Sequence, residues 1–266
     1  MRMTRLLLVI ALAVPAFAQK PAGFKPSPVP GGVAVVAVPG GDSAPRVTYH
    51  GEKVLLRHDA QGWRAVVGIA LAARPGEDNL EADGKAIPFV IRPKRYPEQR
   101  VHLENGRQVN PNPADQARIE KEAALTRPAW VAWPEGFTPT LRFSQPTAGA
   151  LTGSFGMRRV FNGEPRAPHS GLDIKAPRGQ AVKAPAPGVV VLTGDLFFSG
   201  NTVMLAHGEG VVSLFAHLSR ITVKEGQVLK AGETLGEVGM TGRATGPHLH
   251  WSLSLNNARV DPRIFL

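Results

Sequence analysis

The chain of 266 residues contains no cysteine. That absence excludes disulfides, thiolate metal ligands and a cysteine nucleophile, so any zinc site must be assembled from His, Asp and Glu. Beyond residue 18 no apolar run is long enough to cross a bilayer, and there is no repeat of solenoid period and no low-complexity tract. From about residue 141 onward, helical periodicity of useful length is missing too.

What is plentiful is Gly (29) and Pro (24), within a chain that is 43% hydrophobic. That composition supports real cores and favours short strands joined by turns over long helices. The formal charge is +10, or +8 once Arg2 and Arg5 are removed with the N-terminal segment. A basic surface of this size is drawn to anionic polymers. A basic solvated face with no specific partner is the bland alternative.

The N-terminus has the pattern of a signal peptide over residues 1–18. Arg2 and Arg5 precede the short apolar run "LLLVIALAV", and Ala16–Phe17–Ala18 is an A-x-A cleavage pattern that makes Gln19 the first mature residue. The expectation is an exported protein of the periplasm or cell envelope, with no transmembrane segment after cleavage. Export argues against nucleic acid as the partner of the positive charge.

Residues 19–32, rich in Pro and Gly, are expected to be a flexible mature start. Short strand candidates separated by turn signals then fill residues 33–105, which predicts a small β-sandwich or barrel-like accessory domain. Residues 106–140 read as a linker, helical over 112–126 with Asn112 as cap and Pro113 in the first turn, then Pro-rich and extended. Residues 141–266 read as a second β-rich domain, so the expected fold class is mainly β with one linker helix.

Five of the eight histidines lie after residue 168. His248 and His250 in "GPHLHW" share one face of a strand, while Leu249 and Trp251 take the other. That spacing fits a pair of metal ligands and fits two solvent-facing imidazoles equally well. His169 and Asp173 in "HSGLD" are about 13 Å apart if extended, and a turn at Ser170–Gly171 brings them together. His217 closes an apolar run, where a lone His is most often a core residue. Two His and one Asp would make a three-ligand zinc site with an open fourth position, the arrangement of catalytic rather than structural zinc.

"HSGLD", "FAHLS" and "TGPHLHW" in this order, with "GSFGMRR", "KAPAPGVVV", "VKEGQVLKAGETLGEVGMTGRATGPHLHW" and "RVDP", resemble the lysostaphin/LytM-type zinc metallopeptidases of peptidase family M23. The resemblance covers roughly residues 145–266. Residues 33–140 resemble more loosely the accessory region of exported proteobacterial members. The resemblance implies an antiparallel sheet with a substrate groove and a zinc ion held by His169, Asp173 and His250. It makes His217 and His248 the catalytic histidines and His207 structural. It implies hydrolysis of peptide crosslinks in peptidoglycan, with an envelope regulatory protein as a further partner. The alternative is a weakly or non-catalytic regulator of another wall hydrolase.

Loops around 155–166 and 195–201 are expected to wall the groove, with Arg158, Arg159 and Arg166 available to substrate anions. The N-terminal domain is expected either to cover the groove or to dock wall or partner. One departure from the family pattern is Trp251–Ser252 where many members carry Phe then Glu, which points to altered hydrogen bonding behind the ligands.

Overall fold

The computed structural model of the chain describes residues 23–101 and 110–266; the signal peptide expected over 1–18 and His102 lie outside them. Apolar residues on alternate positions of short strands build the first part. β1 (Val33–Ala37), β5 (Gly62–Gly68) and β4 (Leu55–Asp59) form one antiparallel sheet. β3 (Glu52–Lys53), β2 (Val47–Tyr49), β6 (Gly76–Ala82) and β7 (Lys85–Ile91) form a second. Val36, Val67 and Ile69 meet Val47, Leu80 and Ile91 in the core of this region. It is a small β-sandwich, as its turn-broken strand pattern predicts.

The next strand departs from the expected division. β8 (Glu98–Val101) pairs in parallel with β10 (Arg158–Phe161), which pairs with β11 (Glu164–Arg166), so residues 98–101 belong to a wall of the second part. Residues 24–32 are not loose either. The Gly31 N–H donates to the Ile69 carbonyl and Phe24 stacks on Phe265 at 5.0 Å, because an apolar side chain among the prolines has a pocket to fill.

Helix α1 (Pro113–Trp130) starts where expected, with Asn112 Oδ1 accepting from the Asp115 N–H at 2.9 Å. It runs past the expected end at 126 and through Pro128. Tertiary packing overrides the missing donor. Ala129 and Trp130 bury against Leu192, Met204, Val212 and Leu214, and the Arg259 guanidinium lies 3.4 Å from the centre of the Trp130 ring.

The second part is an eight-stranded antiparallel sheet. Its strands are β9 (Ala150–Gly153), β12 (Leu172–Lys175), β14 (Gly188–Leu196), β15 (Gly200–Gly208), β16 (Val211–Leu218), β18 (Val228–Leu229), β20 (His248–Leu255) and β21 (Ala258–Val260). The order is β18–β14–β15–β16–β20–β12–β9, with β21 also on β20. A small sheet of β13 (Ala181–Lys183), β19 (Thr234–Glu237) and β17 (Arg220–Ile221) accompanies it. Val182 and Leu235 of that small sheet share a core with Leu172, Ile174, Phe215, Leu249, Trp251 and Leu253. The opposite face of the large sheet carries the end of α1 over part of its area and the polar cluster described below over the rest.

Val33, Leu55 and Val66 join the core of the second part, so the two parts share buried apolar surface. A buried side chain pins the contact. The Gly68 N–H donates to Asn256 Oδ1 at 2.6 Å, and Asn256 Nδ2 donates to the Gly68 carbonyl at 3.0 Å, as a neighbouring strand would. Asn256→Ala leaves both backbone groups unpaired, and urea unfolding should show a loss of about 2–4 kcal/mol. A loss below about 0.5 kcal/mol would mean that water replaces the amide without cost.

Candidate active site

Register brings the three candidate ligands together. β12 runs antiparallel to β20 with Asp173 opposite His250 and Lys175 opposite His248, and β16 places Ala216 on the other side of His250. His169 precedes β12, and its main chain is held by bonds from the Gly156 N–H to its carbonyl and from its own N–H to the Met157 carbonyl. The turn that folds it back needs Gly171, where a Cβ would stand 2.6 Å from the Trp251 carbonyl and 2.7 Å from the His250 ring.

The result is a tight triangle. His169 Nε2 is 3.0 Å from His250 Nδ1 and 3.0 Å from Asp173 Oδ1, and His250 Nδ1 is 2.9 Å from Asp173 Oδ1. Tetrahedral ligation at about 2.1 Å would separate such donors by about 3.4 Å, so the set fits a single metal ion after a small expansion. The outer nitrogens fix the tautomers. The Ser154 carbonyl can only accept, so His169 Nδ1 carries its proton at 3.1 Å and Nε2 presents a lone pair. His250 Nε2 lies 2.9 Å from Ser252 Oγ, which leaves Nδ1 for the triangle. Two lone pairs and a carboxylate at these distances repel unless a cation sits among them.

Asp173 is held well below the usual carboxylate range. Burial opposes its charge, but the His169 and His250 rings 3.0 and 2.9 Å away, which can share a proton or a metal ion with it, outweigh burial. His250 is pushed down, chiefly by its own burial.

His217 and His248 stand next to the triangle, their rings 4.8 Å apart. Strand alternation would send His217 into the core after Val211, Ser213 and Phe215. Instead Ala216 and His217 together oppose Thr202 in a β-bulge, which returns Leu218 to the core and turns His217 to the groove. The cost is a left-handed backbone at His217, φ 64°, worth about 1–2 kcal/mol for a residue with a Cβ.

Thr241 holds the bulge in place. Its carbonyl accepts from His217 Nδ1 at 2.8 Å, and its hydroxyl donates to the Leu218 carbonyl and accepts from the Asn201 N–H. Gly239 lets the chain pass here, since a Cβ would stand 2.6 Å from the His217 carbonyl. His248 Nδ1 bonds the Gly246 carbonyl at 2.8 Å. Both histidines therefore carry a proton on Nδ1 and turn Nε2 to the groove. Burial, followed by the charges of His250 and His248, pushes His217 down to about 3, so it is neutral near pH 7.

These residues line a cleft of about 480 Å³ with Gln99, Thr152, Met157, Arg159, Phe161, Lys175 and the turn 243–247. The expected walls are partly corrected. The 155–166 segment contributes Met157, Arg159 and Phe161, but Arg158 is exposed beside Glu98, and Arg166 pairs with Glu164 and Asn110. Phe198 of the 195–201 loop acts by stacking on Arg243 at 4.4 Å. Gln99 of β8 is the described lining residue that precedes Thr152; the sandwich contributes none. Thr241, Arg243 and Gln99 were not foreseen, because each is placed by a partner far away in sequence.

The other histidines stand apart. His50 and His58 are exposed on the sandwich. His207 is fully buried. Its Nδ1 donates to the Pro187 carbonyl at 2.8 Å, its Nε2 meets Ser213 Oγ at 2.8 Å, and Trp251 Nε1 donates to the same hydroxyl at 3.3 Å.

The models for peptidase family M23 and for the peptidase family M23 N-terminal domain match residues 167–262 and 26–94. A crystal structure of a peptidase M23 from Pseudomonas aeruginosa is 42% identical, with a TM-score of 0.75 over 90% of this chain and 95% of that one. The chain belongs to peptidase family M23. The DD-carboxypeptidase/endopeptidase Mpg of Neisseria meningitidis is 47% identical over 94 residues, 35% of this chain and 22% of that protein. The peptidoglycan DD-endopeptidase ShyA of Vibrio cholerae is 39% identical over 112 residues, 42% of this chain and 26% of that protein. The match thus spans about a quarter of the length of these curated relatives. Among the described residues no helix is long and apolar enough to cross a membrane.

Burial pushes His207 down from 6.5 to about 4. Its neutral form is the one the fold accepts, so its contribution is complete above about pH 6.5 and is lost as pH falls through about 4. The wild type should therefore lose stability across that window relative to His207→Gln, as measured by urea midpoints at a series of pH values. Parallel pH curves for the two proteins would show that His207 does not titrate in this way.

Proposed function

We propose that this protein is an exported, zinc-dependent endopeptidase that hydrolyses peptide crosslinks of peptidoglycan in the periplasm or cell envelope. The carrying observation is the convergence of His169 Nε2, Asp173 Oδ1 and His250 Nδ1 within 3.0 Å of one another, beside the paired rings of His217 and His248 at the floor of an open cleft. Further support comes from the activities for which the Neisseria and Vibrio relatives are named and from the signal-peptide pattern of residues 1–18.

His169, Asp173 and His250 would hold the zinc ion. When bound, it supplies a Lewis acid and lowers the pKa of a water towards about 7. The Nε2 atoms of His217 and His248, which face the cleft beside the triangle, would serve as the bases that take up a proton from the attacking nucleophile. A ring protonated in this way becomes a donor, able to stabilise the oxyanion and then pass the proton to the leaving nitrogen. Thr241 and Gly246 act on orientation, since their carbonyls keep each Nε2 aimed into the cleft. The accessory part would end before β8, which leaves residues 98–101 on the catalytic side.

Metal analysis of the purified protein should find about one zinc per chain, and His169→Ala, Asp173→Ala and His250→Ala should each lose it together with activity. His217→Ala and His248→Ala should keep the zinc and slow sacculus digestion by about 10²–10⁴-fold. Undiminished turnover by His217→Ala would sink its assigned role. A zinc-loaded wild type that releases no new muropeptide ends would mark a regulator of another hydrolase.

A further inference from the structure

The cleft is more cationic than hydrolysis alone requires. Among the described residues its charged lining is Asp173, Arg159, Lys175 and Arg243, three cations to one acid, and the acid belongs to the donor triangle. Arg159 is three-quarters buried, with Nη2 3.6 Å from Asp173 Oδ2, so it stands beside the reacting centre rather than on the rim. Lys175 is the cross-strand neighbour of His248.

Arg243 is held on the turn that precedes β20. Its N–H donates to the Phe198 carbonyl, and its guanidinium lies over Phe198 at 4.4 Å and Phe161 at 5.2 Å. These two aromatic faces orient a flat cation and shield its apolar surface. Burial lowers both arginines, and repulsion from Arg159 and Arg166 helps bring Arg243 down to about 10. Like charges concentrated in a partly desolvated cleft are relieved when an anion enters it.

The geometry points to a carboxylate subsite in which Arg159 and Arg243, with Lys175 at its edge, receive the free carboxylate on the carbon that bears the leaving nitrogen of the substrate. This rests on the peptidoglycan reading above. In a crosslink from D-alanine to diaminopimelate, the carbon attached to the scissile nitrogen also carries a carboxylate. A stem ending in D-alanyl-D-alanine has the same arrangement at its last residue. Inside a glycine bridge that carbonyl is an uncharged amide. A guanidinium pocket beside the carbon that bears the scissile nitrogen therefore selects leaving groups with a free α-carboxylate and disfavours glycine bridges.

The test uses the zinc-loaded full chain and two crosslinked stem dimers. They differ only in whether the diaminopimelate carboxyl beside the crosslinking nitrogen is free or amidated. The wild type should cut the free acid with a kcat/KM about tenfold or more above the amide. Arg243→Gln, with its zinc content verified, should bring that ratio towards one, and Arg243→Lys should keep an intermediate preference. Equal cutting of both dimers by the wild type overturns the subsite and leaves the endopeptidase reading standing. A purely structural Arg243 would slow both dimers in proportion and preserve the ratio, which also overturns the subsite. Cleavage of neither dimer nor sacculi by the wild type overturns the peptidoglycan reading itself.

Discussion

Asp173 faces His250 across one antiparallel ladder, and everything chemical in the protein depends on that register. The same alignment places Lys175 beside His248 and lets the turn at Gly171 bring His169 back over the pair. Because side chains alternate, a slip of one residue would carry His248 and His250 into the core and lift Leu249 and Trp251 into the groove. Trp251 is fully buried and bonded to Ser213, which in turn meets His207. The apolar face of β20 and the buried His207 thus act on the polar face, since they keep the strand from moving along its axis.

The second device is the bulge on β16. It uses an unfavourable backbone at His217 to place two consecutive side chains, Ala216 and His217, on the groove face. Strands β15 and β16 meet at this point through Thr241, whose carbonyl, hydroxyl and nearby Gly239 make one clasp. The strain is local and its compensation is equally local.

Strand alternation made the shared face of His248 and His250 legible from residue order, and the turn at Ser170–Gly171 did the same for the approach of His169 to Asp173. The sandwich was legible for the same reason. Alternation misdirects at His217, because the bulge depends on Thr202 of the partner strand. The end of α1 was misjudged at Pro128, where burial of Trp130 outweighs propensity. The pairing of β8 with β10 is not legible in residue order, because the partner lies some sixty residues on and parallel pairing leaves no hairpin signal. Arg243 sits in a glycine-bounded turn whose importance lies in Phe161 and Phe198, neither of them near it in sequence.

The pairing of β8 with β10 bears on how such proteins are recombined. A strand contributed from the N-terminal side builds one bank of the cleft and delivers Gln99 to it. A chimaera joined at the start of α1 would exchange that bank along with the sandwich, and the floor of the cleft would be flanked by a foreign strand. A junction in the stretch between Ile91 and Glu98 leaves the bank with the floor it evolved against. In this fold the seam for swapping accessory domains therefore lies upstream of the helix, inside what looks like the accessory half.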